Sequence, residues 1–160
     1  MICNNNDRRG PKISRRRLFQ RVGALLIASR LPAARAGPEL PPIPALTSFL
    51  AGRSPRWERL RLELPPLADN GQAVPMRLSL PGPFASGSML QAIHLFSEKN
   101  PVPEMAVFEF LSPTAKVEVE SRVRLAGAQY VVAVAVMSDD VLYADAAQVL
   151  VTIAGCLDAS

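Results

Sequence analysis

The chain has 160 residues, and its composition, with 49% hydrophobic and 20% charged residues, is ordinary for one globular domain. Fifteen prolines against nine glycines argue against a helical bundle and favour many short elements joined by stiff turns. The net charge of +4 arises at the N-terminus, because the first 36 residues hold nine of the 18 basic residues and one of the 14 acidic residues. The remainder, with nine basic and 13 acidic residues, carries a net charge of −4, so any affinity for nucleic acid would depend on the N-terminal arm.

The order of residues in this arm predicts an export signal instead. Arg15, Arg16 and Arg17 form a twin-arginine pattern followed by an apolar pair, which is typical of the Tat route. An apolar run over residues 22–28 and a small-x-small sequence at residues 34–36 follow in the order of a signal peptide. The alternative interpretation is a disordered basic tail.

The signal segment determines where we expect the protein to work. Its apolar run ends before Arg30 and is too short to cross a bilayer, which takes roughly 20 apolar residues, so we expect no membrane anchor. We expect residues 1–36 to be a Tat-type signal peptide that is cleaved after Ala36. The mature chain would then begin at Gly37 in the periplasm.

A proline-rich linker and one short helix are predicted next. Residues 37–44 contain four prolines, which remove backbone donors and fix φ, so this stretch cannot be regular structure. A helix can run from Ala45 to Ala51, with Gly52 at its end. We therefore expect residues 37–57 to be linker and helix.

From residue 58 onward the chain is predicted to form strands. Residues 59–64 and 117–120 alternate strictly between polar and apolar side chains, which is typical of an antiparallel sheet with one buried face. Residues 131–136 are apolar throughout and fit a central strand. The last predicted strand can be two pieces, because residues 145–147 are weakly strand-like. The seven predicted strands are residues 58–64, 74–80, 91–97, 105–111, 116–124, 129–137 and 142–153.

Turn residues separate these strands. Asp69-Asn70-Gly71 is predicted to be a turn in which the glycine supplies a positive φ, and prolines mark later turns at residues 81–83, 99–101 and 112–113. Seven short strands with regular turns predict an all-β, immunoglobulin-like antiparallel β-sandwich over residues 58–153.

A single cysteine remains after the predicted cleavage. Cys3 lies within the signal segment, and Cys156 lies four residues before the end of the sequence, beyond the last predicted strand. An odd cysteine in an exported protein indicates intermolecular pairing or a working thiol; the alternative is an incidental tail cysteine. No cation adjoins Cys156, and Asp158 disfavours its thiolate, so this thiol suits a carrier loaded by other enzymes better than a catalyst.

Few other residues are candidates for catalysis or metal binding. His94 is the single histidine and lies in a predicted strand, where a surface histidine is simpler than a dyad with Cys156, which would need the two within hydrogen-bond reach. One histidine and one cysteine do not make a metal site, because structural zinc needs four ligands. Glu118 and Glu120 are most simply part of a solvated strand face. We expect no catalytic residue, no cofactor and no metal.

The mature chain resembles the SoxY family, the sulfur-carrier subunits of the periplasmic thiosulfate-oxidising Sox system. The resemblance runs from about Gly52 to Cys156 and depends on five stretches in combination, together with the Tat-type signal. These stretches are Asp69-Asn70-Gly71 through Val74-Pro75, Ile93 through Pro101, Arg122 through Ala126, Val132 through Asp139, and Val151-Thr152-Ile153 leading into Gly155-Cys156.

The resemblance implies a function and a set of partners. It implies an immunoglobulin-like sandwich that pairs with a second sandwich protein, SoxZ, and a carrier tail at residues 154–160. Cys156 would be the covalent attachment point for sulfur, and Gly155 would keep the tail flexible. A Sox cytochrome would attach thiosulfate oxidatively, a hydrolase would release sulfate, and a sulfane dehydrogenase would oxidise the remaining sulfur. The chain itself would be a substrate of these enzymes and not an enzyme.

The tail departs from the family pattern and keeps only the glycine before the cysteine, Gly155, since Ala154 replaces the other glycine on that side. The family arm ends Gly-Gly-Cys-Gly-Gly, whereas here Leu157 and Asp158 follow Cys156. Glycine gives a slim, flexible backbone, which suits a tail that enters a narrow channel, and the two bulkier residues oppose that. A divergent, non-carrying SoxY-like binding or assembly module is therefore the alternative function.

Overall fold

The computed structural model describes residues 42–113 and 116–153. The predicted signal peptide at residues 1–36 and the predicted carrier tail at residues 154–160 lie outside the described residues.

Two sheets form a sandwich, and the predicted all-β architecture is confirmed. The smaller sheet has the order β1-β3-β6, and the larger has the order β2-β8-β7-β4-β5. Neighbouring strands run antiparallel, except for β2 and β8, which are parallel. The elements in chain order are α1 (Pro44–Leu50), β1 (Arg61–Glu63), β2 (Leu67–Asn70), β3 (Val74–Pro81), β4 (Leu90–Ser97), β5 (Glu104–Glu109), β6 (Lys116–Val123), β7 (Gln129–Met137) and β8 (Leu142–Ile153).

The strand β2 is an eighth strand that the alternation of side chains does not reveal. Asp69 and Asn70, predicted to lie in a turn, are its last two residues. The backbone N–H of Leu150 donates to the carbonyl of Pro66 over 2.9 Å, and the Thr152 hydroxyl donates to the carbonyl of Asp69 over 2.7 Å. β8, far along the chain, supplies these partners, so a segment of four residues suffices for a strand.

The turn between β2 and β3 is stabilised differently from the prediction. The Asn70 side-chain oxygen accepts a hydrogen bond from the backbone N–H of Gln72 over 2.8 Å, as in an Asx turn. A positive φ at Gly71 was expected and is wrong, because the positive-φ glycines of the described part lie elsewhere. The carbonyl of Gly71 instead accepts a hydrogen bond from the N–H of Leu125 over 2.7 Å.

The strand β1 begins later than predicted because Arg59 leaves the extended conformation, with a φ of 65°. Its guanidinium group donates to the carbonyls of Pro81 and Pro83 over 2.9 and 2.7 Å. The same group lies 5.5 Å from the ring centroids of Phe84 and Tyr143, within the range of a cation–π contact. These contacts hold Arg59 out of the sheet, although the residues around it alternate as a strand would.

The alternating strands bury one face each between the two sheets. Leu78 and Leu80 of β3 and Ile93 and Leu95 of β4 are fully buried there, as a side-chain period of two requires. Burial of each such side chain contributes about 2 kcal/mol to stability. The apolar interior therefore supplies the main stabilisation of the sandwich.

A second apolar cluster lies under α1, on the outer face of the five-stranded sheet. Ile43 and Leu46 are buried against Phe96 of β4 and against Val132 and Val134 of β7. The central strand β7 is thus covered on both faces, which confirms the prediction from its unbroken apolar run. The predicted helix is confirmed, but it begins at Pro44, which was expected to be irregular, because the first helical position needs no backbone N–H. Ile43, also within the predicted linker, already packs onto the sheet.

The strand β8 is continuous over 12 residues, which confirms the predicted strand at residues 142–153 and rules out the alternative of two pieces. Asp145 pairs with Ala133 of β7, and its carboxylate accepts a hydrogen bond from the backbone N–H of Leu62 in β1 over 2.8 Å. This bond joins the two sheets on one side of the sandwich. The acidic residue is compatible with the strand because the opposite sheet satisfies its carboxylate.

Candidate functional site

The candidate site is the end of the sandwich from which the chain continues toward Cys156. β8 is described as far as Ile153, which pairs with Asn70 of β2 in parallel register. The hydroxyl of Thr152 adds a hydrogen bond to the backbone of β2. Cys156 lies three residues beyond Ile153, outside the described residues, so the structure describes the strand that leads to it.

Three connections meet at this end of the sandwich, which we call the tail end. They are the β2–β3 turn at residues 71–73, the β4–β5 connection at residues 98–103 and the β6–β7 loop at residues 124–128. The N–H of Leu125 donates a hydrogen bond to the carbonyl of Gly71, and this bond joins the β6–β7 loop to the β2–β3 turn. Because Ile153 pairs with Asn70, the end of β8 lies beside the β2–β3 turn. The segment that leads to Cys156 therefore starts next to these loops.

Asn100 joins two of these connections. Its side-chain oxygen accepts hydrogen bonds from the N–H of Ala126 and from the side-chain amide of Gln129, each over 2.9 Å. Its amide nitrogen donates to the carbonyl of Arg124 over 2.8 Å. The sequence places Asn100 in a predicted turn and in one of the stretches that resemble the SoxY family. It does not reveal the partners of its side chain, which lie 24 to 29 residues further along the chain.

Gln129 and Lys99 complete the same network. Gln129 is only 2% exposed, and its side-chain oxygen accepts a hydrogen bond from the N–H of Lys99 over 2.8 Å. The Lys99 ammonium group donates to the carbonyl of Ala128 over 2.6 Å. Among the residues that the structure describes, every buried side-chain nitrogen and oxygen has a hydrogen-bond partner. The tail end is thus a framework of amide hydrogen bonds.

An exposed apolar pair lies on the outer face of the larger sheet, close to the tail end. Leu67 of β2 and Leu150 of β8 are register partners, and they are 57% and 54% exposed. The cluster under α1 covers another part of this face and does not include them. Sequence alone did not single out this pair, because β2 was not predicted as a strand.

His94 is a strand histidine with partners of its own. Its Nδ1 atom lies 2.7 Å from a carboxylate oxygen of Glu104 in β5. Its ring centroid lies 4.4 Å from that of Phe49 in α1. The side chain is 19% exposed, so most of the ring is covered by the helix and by β5. These contacts account for His94 as part of the packing of α1 on the sheet.

The acidic residues of β6 form a solvated face, as predicted. Glu118 lies 2.8 Å from the Lys116 ammonium group, and the hydrogen bond and charge of Lys116 lower the pKa of Glu118 below its ordinary value. Glu120 forms an ion pair with Arg77 of β3. All four side chains are at least half exposed, and such pairs contribute little to stability.

Neither a metal centre nor a membrane-spanning helix is visible in the described part of the chain. No group of three or more histidine, cysteine, aspartate or glutamate side chains within residues 42–113 and 116–153 can hold a metal ion. No helix within those ranges is long and apolar enough to cross a bilayer.

Comparison with protein families decides the assignment. The family described as sulfur oxidation protein SoxY matches residues 47–156, more than two-thirds of the chain. The chain belongs to the SoxY family. The match includes every described strand and extends to the position of Cys156, and it supports a role in the Sox sulfur-oxidation system. No curated protein sequence matches the chain significantly.

Among solved structures, several superoxide reductases are similar to this chain at low TM-scores. A superoxide reductase (neelaredoxin) from Ignicoccus hospitalis is 16% identical, with a TM-score of 0.46 over 59% of this chain and 80% of that one. A putative superoxide reductase from Thermotoga maritima is 14% identical, with a TM-score of 0.46 over 59% of this chain and 87% of that one. At these TM-scores the likeness carries no conclusion about fold or function.

Four of the five stretches that carry the resemblance to the SoxY family contribute residues to the tail end. They lie far apart in the sequence, yet the parallel pairing of β2 with β8 and the hydrogen bonds of Asn100 and Leu125 bring them together. The four stretches are residues 69–75, 93–101, 122–126 and 151–153.

The residues predicted to act directly all lie outside the described part of this SoxY-family chain. Cys156 as attachment point and Gly155 as flexible hinge therefore stay predictions. The same holds for the export signal at Arg15, Arg16 and Arg17.

Proposed function

We propose that this SoxY-family chain is a periplasmic sulfur carrier that holds thiosulfate-derived sulfur covalently on Cys156. The observation that carries the proposal is the extent of the family match, which runs through every described strand and reaches residue 156. That residue is the single cysteine left after the predicted signal peptide is removed. In this proposal the Tat signal at Arg15, Arg16 and Arg17 exports the folded protein.

The proposed chemistry takes place on the sulfur atom of Cys156. The thiol and thiosulfate form a sulfur–sulfur bond, and the thiol proton and a pair of electrons leave, the electrons to a Sox cytochrome. Water then displaces the terminal sulfonate as sulfate, which leaves a persulfide on the cysteine. A sulfane dehydrogenase then oxidises the outer sulfur to a sulfonate: water supplies the oxygen atoms, protons are released, and the electrons pass to an oxidised cytochrome. A second hydrolysis releases sulfate and restores the thiol.

The geometry of the tail end supports a carrier in preference to an enzyme. The polar side chains of Asn100, Lys99 and Gln129 at this end are engaged in amide and backbone hydrogen bonds. The single histidine is bound to Glu104 and packed under α1. In this proposal the thiol depends on other proteins for activation, as a loaded and unloaded carrier does.

The proposal includes a partner subunit. Membership of the SoxY family implies association with components of the Sox system in general, and we propose a SoxZ-like sandwich protein as the constant partner of this chain. The cytochrome, the sulfate-releasing hydrolase and the sulfane dehydrogenase would meet the complex transiently, because each acts on the same tail in turn.

Intact mass spectrometry of the periplasmic protein tests the proposal. After growth on thiosulfate, the wild-type chain should carry an adduct that disappears on treatment with a reductant, because a sulfur–sulfur bond is reducible. Cys156→Ser should carry no adduct and should keep the wild-type unfolding transition. A wild-type chain without adduct, in cells that contain the loading enzymes, would favour the non-carrying assembly module that Leu157 and Asp158 suggest.

A further inference from the structure

The apolar pair of Leu67 and Leu150 forms a patch on the outer face of the larger sheet. The two residues are neighbours in the parallel register of β2 and β8, and each is more than half exposed. Leu150 lies four residues after Ala146, which packs in the cluster under α1, so an even spacing places both on the same face of β8. The patch therefore continues a face that the chain itself covers elsewhere.

A cation lies near this apolar pair. The Lys99 ammonium group donates to the carbonyl of Ala128 over 2.6 Å. Ala128 directly precedes Gln129, which pairs with Val149, the neighbour of Leu150 in β8. With strands about 5 Å apart, the ammonium group is on the order of 10 Å from the backbone of Leu150. Among the described residues, Lys99 forms no ion pair with a carboxylate.

The sequence after β8 offers side chains that match both features. Leu157 and Asp158 are an apolar and an acidic residue in succession, as the apolar pair and the nearby cation require. The side chain of Asp69 shares the outer face of β2 with the apolar pair, so its carboxylate repels Asp158 from that side and favours the side of Lys99. Glu98, the carboxylate next to Lys99 in the sequence, already accepts a backbone N–H.

The length of the chain permits the contact. Leu157 follows Ile153 by four residues, which span at most about 14 Å. Leu150 precedes Ile153 by three residues, or about 10 Å along the strand. A turn at Gly155, where glycine removes the steric limits on φ and ψ, would bring Leu157 back over Leu150. Ala146 lies seven residues before Ile153, about 23 Å away, and is out of reach. The apolar pair is thus the part of this face that Leu157 can cover.

We propose that the segment after β8 docks on the outer face of the larger sheet, with Leu157 on the apolar pair and Asp158 beside Lys99. Burial of the leucine supplies the affinity, and the exposed ion pair adds direction more than strength. In the docked state Cys156 lies against the sandwich and is less accessible. The docking does not depend on the carrier function proposed above, but its consequence for loading does: only the undocked fraction would be loaded.

Methyl NMR of the protein purified from the periplasm, with Cys156 reduced, tests the contact directly. Nuclear Overhauser effects should join the methyl groups of Leu157 to those of Leu150 or Leu67. Leu111, which follows β5 and is almost fully exposed, should show none to Leu157. The absence of any such effect between Leu157 and the apolar pair would overturn the inference. An effect seen only between differently labelled copies would mean that a second copy occupies the patch, and would overturn it as well.

The reactivity of Cys156 provides an independent readout. Alkylation by iodoacetamide is quantified by mass spectrometry on the peptide that contains Cys156. Leu150→Ser should raise the rate by about threefold or more, because it removes part of the apolar surface that holds the docked state. Leu111→Ser is the matched control and should react as wild type. If Leu150→Ser reacts no faster than this control, the patch does not shield the thiol and the inference is overturned.

A double-mutant cycle assigns the shielding to Leu157. Leu157→Ser lies outside the sandwich, so it leaves the strands intact, and it should raise the rate as Leu150→Ser does. The variant that carries both changes should react no faster than the faster single variant, because each change removes the same contact. Leu157→Met keeps an apolar side chain and should react as wild type. Independent, multiplicative effects of the two serine substitutions would contradict the contact.

The charge contact needs a cycle of its own, since Asp158 also disfavours the thiolate of Cys156 directly. Asp158→Asn should therefore accelerate alkylation more in the wild-type background than in Lys99→Gln. Equal acceleration in the two backgrounds would overturn the placement of Asp158 beside Lys99.

Two outcomes separate this docking from other interpretations. A sulfur adduct on Cys156 without any effect of Leu150→Ser would overturn the docking and support the proposed function, whereas docking in a chain that never carries an adduct would do the reverse. If Leu150→Ser instead releases a subunit that copurifies with the wild-type chain, the apolar pair belongs to a protein interface, and the inference is overturned.

Discussion

Ile153, the last described residue of β8, pairs with Asn70 of β2 in parallel register. Because of this pairing, the C-terminal segment starts from a strand that is hydrogen-bonded to a neighbour and not from a frayed end. Cys156 follows three residues later, and the backbone of three residues spans at most about 10 Å when fully extended. If Cys156 carries sulfur as we propose, the loading enzymes would have to approach the tail end of the sandwich closely.

The residues after the cysteine should limit loading. Replacing both Leu157 and Asp158 by glycine should raise the rate at which the cytochrome attaches thiosulfate, because glycine restores a slim, uncharged tail. The measurement is the time course of adduct formation by intact mass, with purified loading enzymes. Ala159→Gly, which lies farther from Cys156, is the control. A rate unchanged by the double substitution would mean that the bulk and charge of the tail do not restrict access.

Export should depend on the arginines near the N-terminus. Replacing Arg15, Arg16 and Arg17 by lysine keeps the positive charge but removes the twin-arginine pattern, so uncleaved precursor should accumulate in the cytoplasm. Cell fractionation followed by immunoblotting measures this. Replacing Arg8 and Arg9 by lysine provides the charge-matched control and should leave export unchanged. Mature protein that begins near Gly37 in the periplasm of the triple variant would disprove the Tat assignment.

Asn100 should be important for stability. Asn100→Ala removes the partners of two N–H groups and one carbonyl, including the side chain of the buried Gln129, and should lower the free energy of unfolding by about 2–3 kcal/mol. Asn70→Ala loses a single exposed hydrogen bond to Gln72 and should cost only about 0.5 kcal/mol. Urea unfolding measures both. Equal losses for the two variants would contradict the role of Asn100 in joining the loops.

The bond between the sheets at Asp145 should also be measurable. Asp145→Ala leaves the N–H of Leu62 without its acceptor and should lower the free energy of unfolding by about 1–2 kcal/mol. Asp145→Asn keeps an acceptor oxygen and should cost less. A larger loss for asparagine than for alanine would show that the hydrogen bond to Leu62 is not what the aspartate contributes.

The start of β1 and the whole of β2 show where sequence patterns fail for strands. Around Arg59 the alternation continues, but the guanidinium group bonds to carbonyls that are distant along the chain and draws the residue out of the sheet. β2 has too few residues for a visible pattern, and β8 supplies its hydrogen-bond partners. Both differences arise from contacts between distant segments, which a local pattern of side chains does not contain.

The candidate site likewise contains one residue that the sequence reveals and others that only the folded structure reveals. Cys156 stands out in the sequence because it is the single cysteine after the predicted cleavage and follows the last predicted strand. Asn100 and the exposed pair of Leu67 and Leu150 do not stand out, since their importance depends on neighbours brought close by folding. The place of β5 at the edge of the larger sheet was equally hidden, because alternation predicts a strand but not its place in the sheet.

The sequence by itself determined the all-β class, the covered central strand, the short helix and the membership of the SoxY family. These features follow from the period of side chains along the chain and from short motifs, which are local properties. Only the tertiary structure decided the order of the strands, the parallel pairing of β2 with β8 and the exposed pair of Leu67 and Leu150. Strand order depends on which distant segments exchange backbone hydrogen bonds, and backbone groups are the same for nearly every residue type.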